Sequence, residues 1–138
     1  MNRYFKITIR TFTIWVASSL INGLLCGIYF SVIGNEFSGV GGTILFIIIS
    51  LVFSIPGFLL FWIFLLIGIN RKVYARALFR TALSTGLILS LIYMVFGSIW
   101  LRPMLPVERY PIGFIVISVL AGILLHFKHF KNIHNQTT

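Results

Sequence analysis

Acidic side chains are almost missing from this chain. Its 138 residues include no Asp and two Glu, against 11 Lys and Arg. Neither Glu36 nor Glu108 lies in an apolar stretch, so no acid is placed for the intramembrane ion relays and coupled transporters that such groups mark. A nucleophilic serine would lack the His or Asp partner that it needs within the apolar stretches. Cysteine is also scarce: Cys26 is the only one, which excludes an intrachain disulfide. It stands in an apolar run and reads as a small buried hydrophobe. Charged residues of both signs make up 9% of the chain and hydrophobic ones 59%. That leaves too little polar surface to coat a soluble globule of this size.

What is present is a pattern. Four apolar stretches alternate with basic segments, and they predict an all-α polytopic membrane protein, a bundle of four transmembrane helices forming one domain over residues 1–138. The spans fall at about 11–33, 43–69, 77–101 and 111–127, each read against the roughly 20 residues that cross about 30 Å of hydrocarbon. The first follows a basic N-terminal segment as a signal peptide would. Its charge-free run is too long and has no small-residue cleavage pattern, so an uncleaved span is expected. Gly34, Asn35, Glu36, Ser38, Gly39, Gly41 and Gly42 make a short loop after it. Span two is longer than a perpendicular crossing needs, and Pro56-Gly57 predicts a bend, since proline removes the bond to the Val52 carbonyl. Ser54 is placed to satisfy part of the freed backbone. Pro103 and Pro106 break the loop before Pro111, which opens span four.

Counting Lys and Arg near span ends sets the orientation. Arg3, Lys6, Arg10, Arg71, Lys72, Arg76, Arg80, Lys128 and Lys131 share one side, while Arg102 and Arg109 lie opposite. Positive residues gather on the cytoplasmic side, so both termini are expected there, in a bacterial-type cell membrane. Tyr4, Trp15, Trp62 and Tyr74 would anchor the inner interface, and Tyr29, Trp100 and Tyr110 the outer one. The net charge of +9 is thereby explained without nucleic acid. Lys72, Arg76 and Arg80 recur on one face of a cytoplasmic extension of span three, with Tyr74, Leu78 and Phe79 turned toward lipid. These cations serve topology first, and anionic headgroups are a second expected partner.

Helices in lipid associate through small residues and polar contacts. Ser19, Gly23, Gly27 and Ser31 form such a stripe on span one, with Asn22 and Cys26 beside it; Ser50, Ser54, Gly57, Ala82, Gly86, Ser90, Ser118 and Gly122 give the other spans similar faces. The stripe is expected to pack within the monomer or against another copy. Asn22 is the strongest polar group inside a span. His126, with His129 and His134 in a basic tail, lacks the Cys or carboxylate partners of a metal site. Cys26 would lie too far from His126 to be activated by it. Glu108 and Arg109 read as solvated neighbours, and the glycosylation pattern at Asn135 falls in a tail expected to be cytoplasmic, where it is not used. No catalytic, cofactor-binding or metal-ligating set emerges. The leading expectation is a non-enzymatic accessory or assembly component working with a membrane partner. The alternative is a small oligomeric transporter, flippase or channel, with Asn22, Ser54 and Pro56 near a midplane path.

Overall fold

Five helices follow from the apolar stretches: α1 (Arg3–Ile33), α2 (Val40–Phe53), α3 (Ile55–Asn70), α4 (Ala75–Trp100) and α5 (Gly113–Leu125). The structure is a computed structural model that describes residues 2–34, 38–70, 75–100 and 113–127, and among these it is all-helical. Asn2 caps α1 by accepting from the Tyr4 amide at 3.4 Å. The helix starts a full two turns before the expected span, so it carries Lys6 and Arg10 as a helical extension. It stops at Gly34, whose φ of 70° is open to glycine at little cost; its N–H returns to the Phe30 carbonyl.

Two helices, α1 over Tyr4–Ile33 and α4 over Ala77–Gly97, are each long and apolar enough to cross a membrane, and α2 with α3 make a third crossing if the bent pair is one span. α5 has 13 residues, about 20 Å at 1.5 Å per residue, which is short of the roughly 30 Å of a hydrocarbon core. It nevertheless runs between both ends of the bundle, because Phe114 packs against Tyr29 at one end and Ile123 joins the core at the other.

The expected single bent helix over 43–69 is two helices meeting at 50°. The break falls at Ser54 rather than at Pro56. Pro56 is the second residue of α3, where the N–H it lacks would have had no intrahelical acceptor in any case. Ser54 holds the corner together: its N–H reaches Ser50 and Val52 carbonyls, its hydroxyl donates to the Ser50 carbonyl at 2.5 Å with the Leu51 carbonyl at 3.2 Å, and its own carbonyl accepts from Phe58 at 2.8 Å. Ser54 thus satisfies backbone at the corner as expected, but its hydroxyl serves the Ser50 and Leu51 carbonyls and not that of Val52.

Packing is organised around α1, which lies along both α2 and α5, while α4 leans on α3 and α5. Two apolar clusters lie toward opposite ends of α1. One joins Ile7 and Ile14 to Phe61, Leu65, Leu78, Ala82 and Ile123. The other joins Cys26 and Phe30 to Phe46, with the Phe30 and Phe46 rings stacked at 4.9 Å. Leu78, expected to face lipid, is 3% exposed in the first cluster. The reason lies on α3: Gly68 has no Cβ to fill the space, and one placed there would sit 3.3 Å from a Leu78 methyl. Phe79 packs against the same cluster and meets Phe127 edge-on at 4.7 Å. The loop with Asn35 and Glu36, Arg71, Lys72, Tyr74, the segment from Arg102 to Pro111, and Lys128, His129, Lys131, His134 and Asn135 lie outside the described residues, as do the side chains of Arg3, Arg76 and Trp100.

Candidate functional site

Between the two end clusters the bundle does not close. A cleft of about 610 Å³ remains at mid-height, walled by α1, the α2–α3 corner, α4 and α5. That volume lies within the range of small-molecule sites, about 300–1,000 Å³. Its shape follows from the packing. The helix α2 follows α1 and turns away at Ser54, while α4 follows α3 and α5, so α2 and α4 share no packed interface among the described residues. Phe53 and Phe96 line the open side, at 65% and 59% exposure.

A ladder of polar side chains runs down the α1 wall. Trp15, Ser18, Ser19 and Asn22 share a face because their spacing follows the helical period. Trp15 donates its indole N–H to the Ser54 hydroxyl at 2.7 Å, and its ring stacks on Phe58 at 4.8 Å. It is thus directed into the bundle instead of anchoring an interface. The Ser19 and Ser54 hydroxyl oxygens are 3.5 Å apart, and Asn22 donates through Nδ2 to the Ser50 hydroxyl at 3.1 Å. Ser50 and Ser54, expected as a helix-packing face, therefore meet the α1 ladder. On the facing wall Tyr93 accepts from the Gly57 amide at 2.9 Å. Ser90 and Ser118 donate back into their own helices, to the Leu87 and Phe114 carbonyls.

Two atoms stand outside this accounting. Ser18 Oγ and Asn22 Oδ1 are buried and have no hydrogen-bond partner among the described residues. Leaving a buried polar atom unmatched costs about 1–3 kcal/mol, so two of them in one wall are a local expense that packing alone would remove. Ser18 is 8% exposed and faces Gly122 of α5, where a Cβ would collide with its oxygen and come 3.2 Å from the Ile14 carbonyl. No Asp, Glu, Lys, Arg or His lines the cleft among the described residues. Its polar groups are hydroxyls, one amide and an indole N–H, set among apolar and aromatic side chains.

Of the residues singled out in the sequence, Asn22, Ser50, Ser54, Gly57, Gly86, Ser90 and Ser118 meet around the cleft. Gly23 and Gly27 do not: they face α2 away from it. A Cβ at Gly23 would lie 2.8 Å from Ile47 Cα, and one at Gly27 2.8 Å from Thr43 Cβ, so the stripe is used inside the chain. Cys26 is buried in one end cluster, and His126, with Nδ1 2.8 Å from the Gly122 carbonyl, lies at the other end of the bundle. Ser18 and Tyr93 were missed. Ser18 is one turn before Asn22 on the same face, and Tyr93 is one turn after Ser90 on α4; both signals are present in the sequence but weak by themselves. No family model, curated protein or solved structure matches the chain, and the cleft is read from its own geometry.

Proposed function

We propose that the chain is a four-span, non-enzymatic protein of a bacterial-type cell membrane, with both termini cytoplasmic, that binds a small molecule in its mid-height cleft and moves it within or across the bilayer. The carrying observation is the cleft itself, walled by α1, the α2–α3 corner, α4 and α5 and lined by apolar side chains with the hydroxyls and amide of the α1 ladder among them. Transporter sites lie near the bilayer midplane and use irregular backbone where it lines a cavity, and the Ser54 corner supplies that irregularity. The accessory or assembly role drew on the small-residue stripe of α1. That stripe is taken up by α2, which moves the weight to the cleft.

Orientation rests on charge. Ile7 of α1 and Leu78 of α4 share one end cluster, so Lys6, Arg10 and Arg80 belong to the same end of the bundle. Placing that end in the cytoplasm satisfies the positive-inside rule, and its cations are then available to anionic headgroups at about 1 kcal/mol each. α5, although short, supplies the fourth crossing, a reading supported by its reach from the Phe30 cluster to the Leu65 cluster. Reporter fusions after Thr138 and in the loop at Gly41 are expected to give opposite sidedness, with the C-terminal reporter cytoplasmic. A periplasmic C-terminus would overturn the orientation.

Reconstitution tests the transport reading. Vesicles containing the protein are expected to exchange a chain-labelled single-tailed amphiphile between leaflets faster than empty ones, and Asn22→Leu is expected to bring the rate back to the empty-vesicle value. Rates equal to empty vesicles across a broad solute panel would count against transport and return the assembly role to first place.

A further inference from the structure

We infer that the cleft holds an acyl chain of a bilayer lipid, which turns in through the flank between Phe53 and Phe96 while its headgroup stays at the membrane surface. This rests on the proposed reading of the cleft as a binding site.

The polar side chains around the cleft spend their hydrogen bonds inside the protein. Trp15 and Asn22 pair with the Ser54 and Ser50 hydroxyls, Ser90 and Ser118 donate to carbonyls of their own helices, and the Tyr93 hydroxyl takes the Gly57 amide. Ser18 Oγ and Asn22 Oδ1 are closed over by their surroundings, so neither reaches an occupant. A polar solute would give up water for walls that return little of its hydrogen bonding. A hydrocarbon chain needs none. Ile49, Phe61, Leu89, Ile115 and Val119 offer it apolar contact instead.

The length of the cleft fits the same occupant. Its lining follows α4 from Gly86 to Gly97 and α1 from Ile14 to Asn22, about 16 Å and 12 Å at 1.5 Å per residue. One leaflet supplies about 15 Å, half of the roughly 30 Å hydrocarbon core. A single extended chain therefore matches the cleft from end to end.

The mouth faces the source of such chains. Phe53 and Phe96 on the open side are exposed, as are the neighbouring Val52, Ile92 and Val95, so the cleft runs without a break into the outward apolar faces of α2 and α4. In a membrane-spanning bundle those faces are covered by lipid tails. An empty cleft would forfeit the dispersion contacts of its lining, and a tail already at the mouth restores them by moving in sideways, with no water to cross.

Trp15 lines the cleft and reports on it. Full-length protein carrying Trp62→Phe and Trp100→Phe is reconstituted into phosphatidylcholine vesicles whose chains are dibrominated near their middle, and Trp15 fluorescence is expected to fall well below its value in unbrominated vesicles. Ser90→Leu and Ile49→Phe, on facing helices, add bulk to the cleft, and each is expected to lose most of that quenching. Two variants on different helices guard against one that fails to fold, which circular dichroism identifies. As a control, Leu59→Trp on the exposed face of α3, with Trp15→Phe added, is expected to be quenched equally with and without either filling. Quenching of Trp15 that persists in both filled variants would come from surrounding lipid and overturn the inference. No quenching, in vesicles that still exchange a solute, would overturn the acyl chain and leave the binding site standing; no quenching and no exchange would overturn both. No quenching together with a particle mass of two chains would place a second copy on that flank in place of lipid.

Discussion

Gly23→Leu is expected to leave no folded bundle in detergent, and Gly23→Ala to lower its stability by about 1–3 kcal/mol, the usual cost of forcing a methyl into a packed interface. The reason is contact with backbone. A Cβ at Gly23 would meet the Ile47 side chain and lie 2.8 Å from Ile47 Cα and 2.9 Å from Ile47 N, so no rotamer change makes room and α2 as a whole must move away. The sign has to be decided against helix propensity, since alanine in a helix interior gains about 1 kcal/mol over glycine. Gly41→Ala measures that gain alone, because Gly41 lies in the first turn of α2 and a Cβ there meets nothing within 4 Å. Thermal unfolding followed by circular dichroism should therefore place Gly41→Ala at or above the parent and Gly23→Ala below it. Particle mass in detergent is the second readout. If Gly23→Leu melts like the parent but changes mass, the stripe works between copies, and the intrachain contact contributes little.

The same stripe shows how far the sequence could be read. Ser19, Gly23, Gly27 and Ser31 announce a helix interface by spacing alone, because only small residues let two backbones approach. Which helix fills the interface depends on the tertiary partner, and four-residue spacing is silent on that. The apolar lengths and basic segments likewise predict helices, and α1 and α4 meet the length and composition of spans as expected. Leu78 was misplaced for a related reason. A leucine near a cationic segment looks like a lipid-facing residue, and its burial depends on Gly68 of another helix leaving space for it.

The cleft was legible in part. Of the expected path residues Asn22, Ser54 and Pro56, the two polar ones line the cleft, as costly polar groups inside apolar spans need a partner or a role, and Pro56 does not. Trp15 reads as an interface aromatic because it follows the basic segment closely; its turn toward Ser54 and Phe58 depends on the α2–α3 corner, which its own position in the sequence does not reveal. Pro56 drew attention as the bend, whereas Ser54, a less conspicuous residue, carries the corner's hydrogen bonds. Proline marks where a helix can restart; the side chains around the break determine where it stops.

Tyr93→Phe is expected to destabilise the bundle by about 1–3 kcal/mol and to loosen the far wall of the cleft. In an unbroken helix the Gly57 N–H would point to the Phe53 carbonyl, four residues back. The corner at Ser54 takes that acceptor away, and the Tyr93 hydroxyl stands in for it at 2.9 Å. Gly57 is suited to the contact, because a Cβ there would lie 2.9 Å from the Tyr93 ring. Phenylalanine keeps the ring and removes the acceptor, so the Gly57 amide is left half-buried without a partner. Amide exchange at Gly57 should quicken in Tyr93→Phe, and the melting temperature should fall. Gly57→Ala pushes the ring aside, so adding Tyr93→Phe to it should cost much less than Tyr93→Phe alone, a coupling that a double-mutant cycle reads directly. This bond is a polar tie between α4 and the α2–α3 corner, beside the packing of α4 on α3. Unchanged exchange at Gly57 together with parent-like melting would show that the hydroxyl contributes nothing to the corner.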